Sequence, residues 1–206
     1  LKRAPEDVAA RVATIPGVAA VETRVVDSVL LPLDDMPEPA VGRIVSLPPS
    51  GEPALSDIVL RAGRLPTPGR ADEAVLLASF ARAHGLDTGS MIPAVIDGVL
   101  REVRVVGLAM SPEYVFASSG DEILDMRRLA VLWMDRDAIA PAFKLDGAFD
   151  DVVLRLEPGA SDAGVVDRLD RMLAPYGGLG AVPRRRQPSA FMLAQELDQL
   201  RAIATL

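Results

Sequence analysis

Apolar residues along this chain change period twice, from helical spacing at the start to strand-like alternation through the middle and back to helical spacing towards the end. Val8 and Val12 share one helical face, Glu6 and Asp7 follow Pro5 in what would be a first turn, and Pro16-Gly17 stops the run, so a short helix is expected over residues 5–14. Val21, Thr23 and Val25 then alternate with Glu22, Arg24 and Val26, which predicts one strand over residues 18–30 that Pro32 terminates. Residues 43–47 form a second candidate strand, fenced by prolines 37, 39, 48 and 49 that exclude helix on both sides.

From residue 50 to about 127 the pattern is one of short strands with frequent Gly and Pro. Residues 58–61 and 74–77 are expected as strands, and Ser79 as the N-cap of a two-turn helix with His84 in its last turn and Gly85 at the left-handed position beyond it. Residues 91–96 and 99–108 flank Asp97-Gly98, the residue pair that suits a tight type I′ turn because both positions take positive φ. Beyond the middle, strands are expected at 129–134 and 151–156 and a short helix at 135–143. Ser161 should cap a helix carrying Val165, Val166, Leu169, Met172 and Leu173, and Ser189 opens a last amphipathic helix with Leu193, Leu197 and Leu200 on one face. The expected fold class is α+β: residues 1–48 plus 127–206 as one discontinuous α+β subdomain, with a β-rich subdomain, residues 49–126, inserted into it.

Composition narrows the functions. At 206 residues the chain can bury roughly 70% of its unfolded surface, so it needs no staples. Acids outnumber bases 29 to 22, a net charge of −7, and the basic residues are scattered, which argues against a nucleic-acid partner. Without cysteine there is no disulfide framework and no thiolate metal site. Half the residues are hydrophobic, yet no run approaches the roughly 18 apolar residues of a membrane span, and Leu1-Lys2-Arg3 is not followed by a signal-peptide core. A start without Met and a stop within an amphipathic pattern lead to the expectation of a domain cut from between two membrane spans.

Candidate chemistry is sparse. His84, the lone histidine, has no nucleophile motif to serve and is read as a helix-end or surface residue. One His and no Cys leave only carboxylates for a metal, without calcium-hand spacing, so no metal, cofactor or catalytic residues are expected. The acid pairs Asp34-Asp35, Asp121-Glu122 and Asp150-Asp151 are read as solvated turns or strand ends, since neighbours in extended chain point apart. Glycines 177, 178 and 180 match no phosphate-loop spacing. Arg184, Arg185 and Arg186, after Pro183, are first a solvated connector, and a candidate membrane-proximal cluster if the last helix descends to a membrane, each cation worth about 1 kcal/mol at an anionic surface. Pro112, Glu113, Tyr114, Val115 and Phe116 place two aromatics beyond the hairpin; burial under the loop is the default reading, and an exposed aromatic loop would be a candidate partner contact.

One succession of motifs carries more weight than any of these. Ile15-Pro16-Gly17-Val18 leads into the first strand; Arg61-Ala62-Gly63-Arg64, Asp72-Glu73-Ala74-Val75, a small helix with Gly85-Leu86 and Gly89, and a hairpin ending Val106-Gly107-Leu108 follow in order. That order resembles the MacB-like periplasmic core domain of FtsX-type and lipoprotein-release-type ABC transporter permeases, over nearly the whole chain. Residues 176–181 and the arginine cluster depart from the pattern. The resemblance implies a porter-like α+β part with an inserted β-rich part, held on the extracytoplasmic side of the cell membrane between the permease's own transmembrane helices. It implies a non-catalytic domain that relays motion from a separate cytoplasmic ABC ATPase subunit, with a second permease copy or an accessory protein as further partners. On this reading Val8 or Val12 should pack against the helix from Ser189 at about 8 to 10 Å between axes. Two other classes stand beside it: an extracytoplasmic ligand-sensing or binding domain, which requires a mostly apolar pocket, and a secreted hydrolase, which requires a cleft with perturbed carboxylates.

Overall fold

The computed structural model describes residues 1–48, 55, 57–114 and 129–186. In chain order the elements are β1 (Ala4–Pro5), α1 (Asp7–Ala13), β2 (Val18–Arg24), β3 (Val26–Leu31), β4 (Ala40–Leu47), β5 (Val59–Gly63), β6 (Glu73–Leu77), α2 (Ala78–Ala83), β7 (Met91–Ile96), β8 (Val99–Met110), β9 (Leu129–Asp135), α3 (Arg136–Ile139), β10 (Ala148–Phe149), β11 (Asp151–Leu156) and α4 (Asp162–Leu173). The fold is α+β.

Seven strands form one sheet in the order β5-β8-β6-β9-β4-β3-β7, and β7 pairs again with β8, so six of the strands close into a ring with β5 added outside. Closure depends on the length of β8: its first half pairs with β7 and its second half with β6 and β5. Alternation places Val29, Leu31, Ile44, Leu76, Ile92, Val103 and Leu132 in one large buried core. A second, smaller core lies on the antiparallel pair β2–β11. There Ala4, Val8, Val12 and Ile15 meet Phe149 and the α4 residues Val165, Leu169 and Leu173.

Several expectations hold. Asp97 and Gly98 have φ of 46° and 74°, as a type I′ hairpin requires. Ser161 caps α4, its Oγ accepting from the Gly164 N–H at 3.3 Å. Others need correction. The expected strand over 18–30 is two strands in different sheets, broken at Val25, whose N–H and carbonyl both pair with Ser46 of β4. Pro5 is not in the helix; it pairs with Ala148, and Glu6 occupies the N-cap of α1. Helix α2 starts straight from β6 with Leu77 at its N-cap, so Ser79 caps nothing.

The subdomain limits also move. Residues 26–47 and 129–148, assigned from sequence to the discontinuous subdomain, supply β3, β4 and β9 to the ring and join its core. The cores therefore divide near residues 25 and 149, not 48 and 127. The physical reason is that strand pairing is non-local: β4 pairs with β9 across more than eighty residues, which no local texture reveals. The last expected helix lies outside the described residues, and with it the proposed contact to Val8 and Val12.

Candidate functional site

The chain passes between the two cores twice, and the two passages run side by side. At Arg24-Val25-Val26, β2 continues into β3; at Phe149-Asp150-Asp151, β10 continues into β11. The Asp150 N–H donates to the Arg24 carbonyl at 3.2 Å, and the Val26 N–H donates to Asp150 Oδ1 at 2.8 Å. Burial pushes the Asp150 carboxyl up to about 6; the Val26 hydrogen bond opposes this, and the charges of Asp151 and Asp27 reinforce it. This aspartate, read from sequence as solvated, is half-buried in the joint.

Two buried arginines bridge the passages, one rooted in each core. Arg24, at the end of β2 and 4% exposed, donates from Nε to Asp151 Oδ2 at 2.7 Å and grips Glu113 with both terminal nitrogens, at 2.7 and 3.0 Å. Burial works against its charge, but the hydrogen bond to Glu113 and the nearby Asp151 and Glu113 carboxylates overcome that and hold it firmly protonated. Arg136 opens α3, whose start is fixed by Asp135 accepting from the Ala138 N–H. At 9% exposed, it donates from Nη1 to Thr23 Oγ1 at 2.8 Å and from Nη2 to Glu6 Oε2 at 2.6 Å and the Ala148 carbonyl at 3.0 Å. Thr23 Oγ1 in turn donates to Glu6 Oε1 at 2.6 Å. A buried guanidinium is tolerated only when its donors are satisfied this fully. Sequence reading missed both arginines: at their positions in strand and helix patterns nothing marks them as buried.

The residues singled out from sequence lie elsewhere or act differently. Pro112 is exposed, Glu113 is engaged by Arg24, and Tyr114 is buried edge-on against Trp133 with ring centroids 5.9 Å apart, so this tyrosine is core and not an exposed contact. Burial and the Glu113 charge push the Tyr114 hydroxyl up to about 12. Val115 and Phe116 lie outside the described residues. Arg184–Arg186 form a 3-10 turn, with Arg184 and Arg186 exposed. The His84 side chain is buried at the end of α2, its ring 4.4 Å from that of Phe80 and its Nδ1 2.7 Å from Asp35 Oδ2, which replaces the surface role expected for it. Gly177 takes a left-handed φ of 72° behind α4, and the turn there folds onto the chain start: the Lys2 N–H donates to the Tyr176 carbonyl at 3.0 Å. Among the described residues no cluster of three or more His, Asp or Glu could hold a metal ion.

Three of the motifs, at residues 61–64, 72–75 and 106–108, meet at one place on the ring. Gly63 and Gly107 face each other across β5 and β8, where a Cβ on Gly63 would come within 2.2 Å of the Val106 carbonyl and one on Gly107 within 2.4 Å of the Arg64 carbonyl. Arg64 forks onto Glu73 at 2.8 and 2.9 Å; that hydrogen bond outweighs the effect of burial and, with the Thr67 contacts, holds the Glu73 carboxyl down to about 2. On the outer face of the ring, Leu100, Val95, Leu30, Val41 and Leu129 stand opposite one another on five successive strands, and Leu100 is 63% exposed. A cleft of about 400 Å³ between the Pro16-Gly17 turn and the start of α4 is open, with Glu157, Ser161 and Arg168 beside Ala160 and Val165 and more polar than apolar surface in its lining. It lacks the apolar lining that a ligand-sensing domain requires.

A known structure shares this architecture. The extracellular domain of the noncanonical ABC-type transporter YknZ from Gram-positive bacteria is 14% identical and aligns over 87% of this chain and 88% of its own, with a TM-score of 0.52. This chain has the fold of a transporter's extracellular domain. The periplasmic region of MacB from Actinobacillus actinomycetemcomitans is 12% identical over 84% of this chain and 76% of its own, with a TM-score of 0.49. No family model matches the chain, and no curated protein matches it. Among the described residues no helix is long and apolar enough to cross a membrane.

Proposed function

We propose that this chain is the extracytoplasmic domain of an ABC transporter permease. In this reading it performs no chemistry and relays conformational change from a separate cytoplasmic ATPase, through its own transmembrane helices, to cargo or partner proteins outside. The observation that carries it is the shared fold with a transporter's extracellular domain over seven-eighths of the chain. A second observation supports it: residues 2–3 are hydrogen-bonded to the turn at Tyr176, so the chain enters the small core beside the turn through which it leaves α4. Adjacent entry and exit suit a domain tethered by two neighbouring membrane helices, and a second permease copy or an accessory protein would meet it at the other faces.

The test is the full-length protein. It should carry apolar runs of about 20 residues on both sides of this segment, fractionate with membranes and co-purify with an ABC ATPase. A full-length protein recovered in soluble fractions without an ATPase would end this reading.

A further inference from the structure

We infer that Arg24 and Arg136 are reciprocal latches that lock the two cores into one stiff lever across an otherwise hinge-like joint. The joint is made of two antiparallel passages of chain tied by the Asp150–Arg24 and Val26–Asp150 hydrogen bonds, with Val25 held to Ser46 and the short β1–β10 pair beside them, where the Glu6 N–H donates to the Gly147 carbonyl at 3.0 Å. Two strands side by side bend easily, because nothing packs against both faces of a two-stranded ribbon. Side chains that reach across add rigidity to these few backbone ties.

The geometry supplies them in an interlocked pair. Arg24 is rooted in β2, on the small-core side, and its fork closes on Glu113 in the turn after β8, on the large-core side. Arg136 is rooted in α3, on the large-core side, and closes on Glu6 before α1 and Thr23 in β2, on the small-core side. Each core thus lends a cation to the other. Swinging the cores apart takes Glu113 from Arg24, which keeps Asp151, and Glu6 from Arg136, each while the guanidinium is still buried, and that resists the motion from both sides. The carboxylates lie at the rim, with Glu6 about half exposed and Glu113 a quarter exposed, so they can be altered without opening a hole in either core.

This latch deepens the relay reading, because a lever transmits displacement only if it does not fold in the middle. It is tested separately from that reading, on this chain alone. Glu113→Gln combined with Glu6→Gln keeps shape and hydrogen-bonding atoms but removes both charge pairings. By amide hydrogen exchange, we expect about tenfold faster exchange at residues 24–26 and 149–151, while Leu132 in β9 and Leu169 in α4 keep wild-type protection. Unchanged exchange at the joint overturns the proposal, and so does a uniform increase over both cores, which would mean general destabilisation. Arg24→Lys, which keeps the charge but loses the fork, should give an intermediate increase; full wild-type protection there would also overturn it. In the transporter assembled from the full-length protein and its ATPase, the same double variant should leave ATP hydrolysis at the wild-type rate but lose most of the output, whereas failure to associate with any ATPase would bear on the proposed function and leave the exchange result standing.

Discussion

Asp150 illustrates how one residue can cost stability for the sake of geometry. Its carboxylate accepts the Val26 N–H at the joint, yet burial raises it from an ordinary 3.8 to about 6, so the folded chain binds more protons than the unfolded chain between those values. Its contribution therefore declines as pH rises from about 4 to about 6 and is level above that. Glu73 runs the other way: held at about 2 by Arg64, it contributes fully above about 4.5 and loses that contribution as pH falls. Asp150→Asn keeps an acceptor for Val26 but cannot ionise. It should raise stability at pH 7 by about 1 kcal/mol, a shift of about two pH units being discounted for the exposed part of the carboxylate. Urea denaturation at pH 4, 6 and 7.5 checks this, and a wild-type decline between pH 4 and 6 that survives in the variant would refute it. The sequence shows Asp150 only as one of an acid pair, because adjacent acids can be told apart only by what each one faces: Val26 for one and Arg24 for the other.

Elements were legible where their signals are satisfied within a few residues. The β7–β8 hairpin is the clearest case, since Asp97-Gly98 states its own turn type. A Cβ on Gly98 would meet nothing within 4 Å, so the cost of a side chain there is purely that of the backbone conformation. Gly98→Val should therefore destabilise by roughly 1 to 2 kcal/mol, a melting point lower by about 2 to 8 °C, measured by circular dichroism. An unchanged melting point would mean the turn does not need its positive φ. The Ser161 cap was likewise readable, because cap and partner are three residues apart. The break at Val25 was not: the alternation runs straight through it, and only Ser46, twenty-one residues away, divides the strand in two. Ser79 misled for a related reason, since β6 feeds α2 directly and leaves no position for a cap.

For the whole molecule, the two cores meet through one narrow joint, and the stability of each bears on the other only as far as that joint is stiff. Leu169→Ala in the small core should cost about 2 to 5 kcal/mol, as for other buried leucines. With the joint latched, the loss should appear in hydrogen exchange of β9 in the distant ring as well as in α4; protection of β9 left untouched would show that the cores unfold independently. By itself the sequence determined the fold class, most element positions, the hairpin and the motif order that points to a transporter's extracellular domain, because periodicity, caps and tight turns are written locally. Tertiary structure alone decided that the ring closes through β8, that the cores divide near residues 25 and 149, and that Arg24 and Arg136 are buried between the two halves. Those outcomes depend on pairing between residues far apart in the chain, and the free energy that selects among such pairings comes from burying the whole set together.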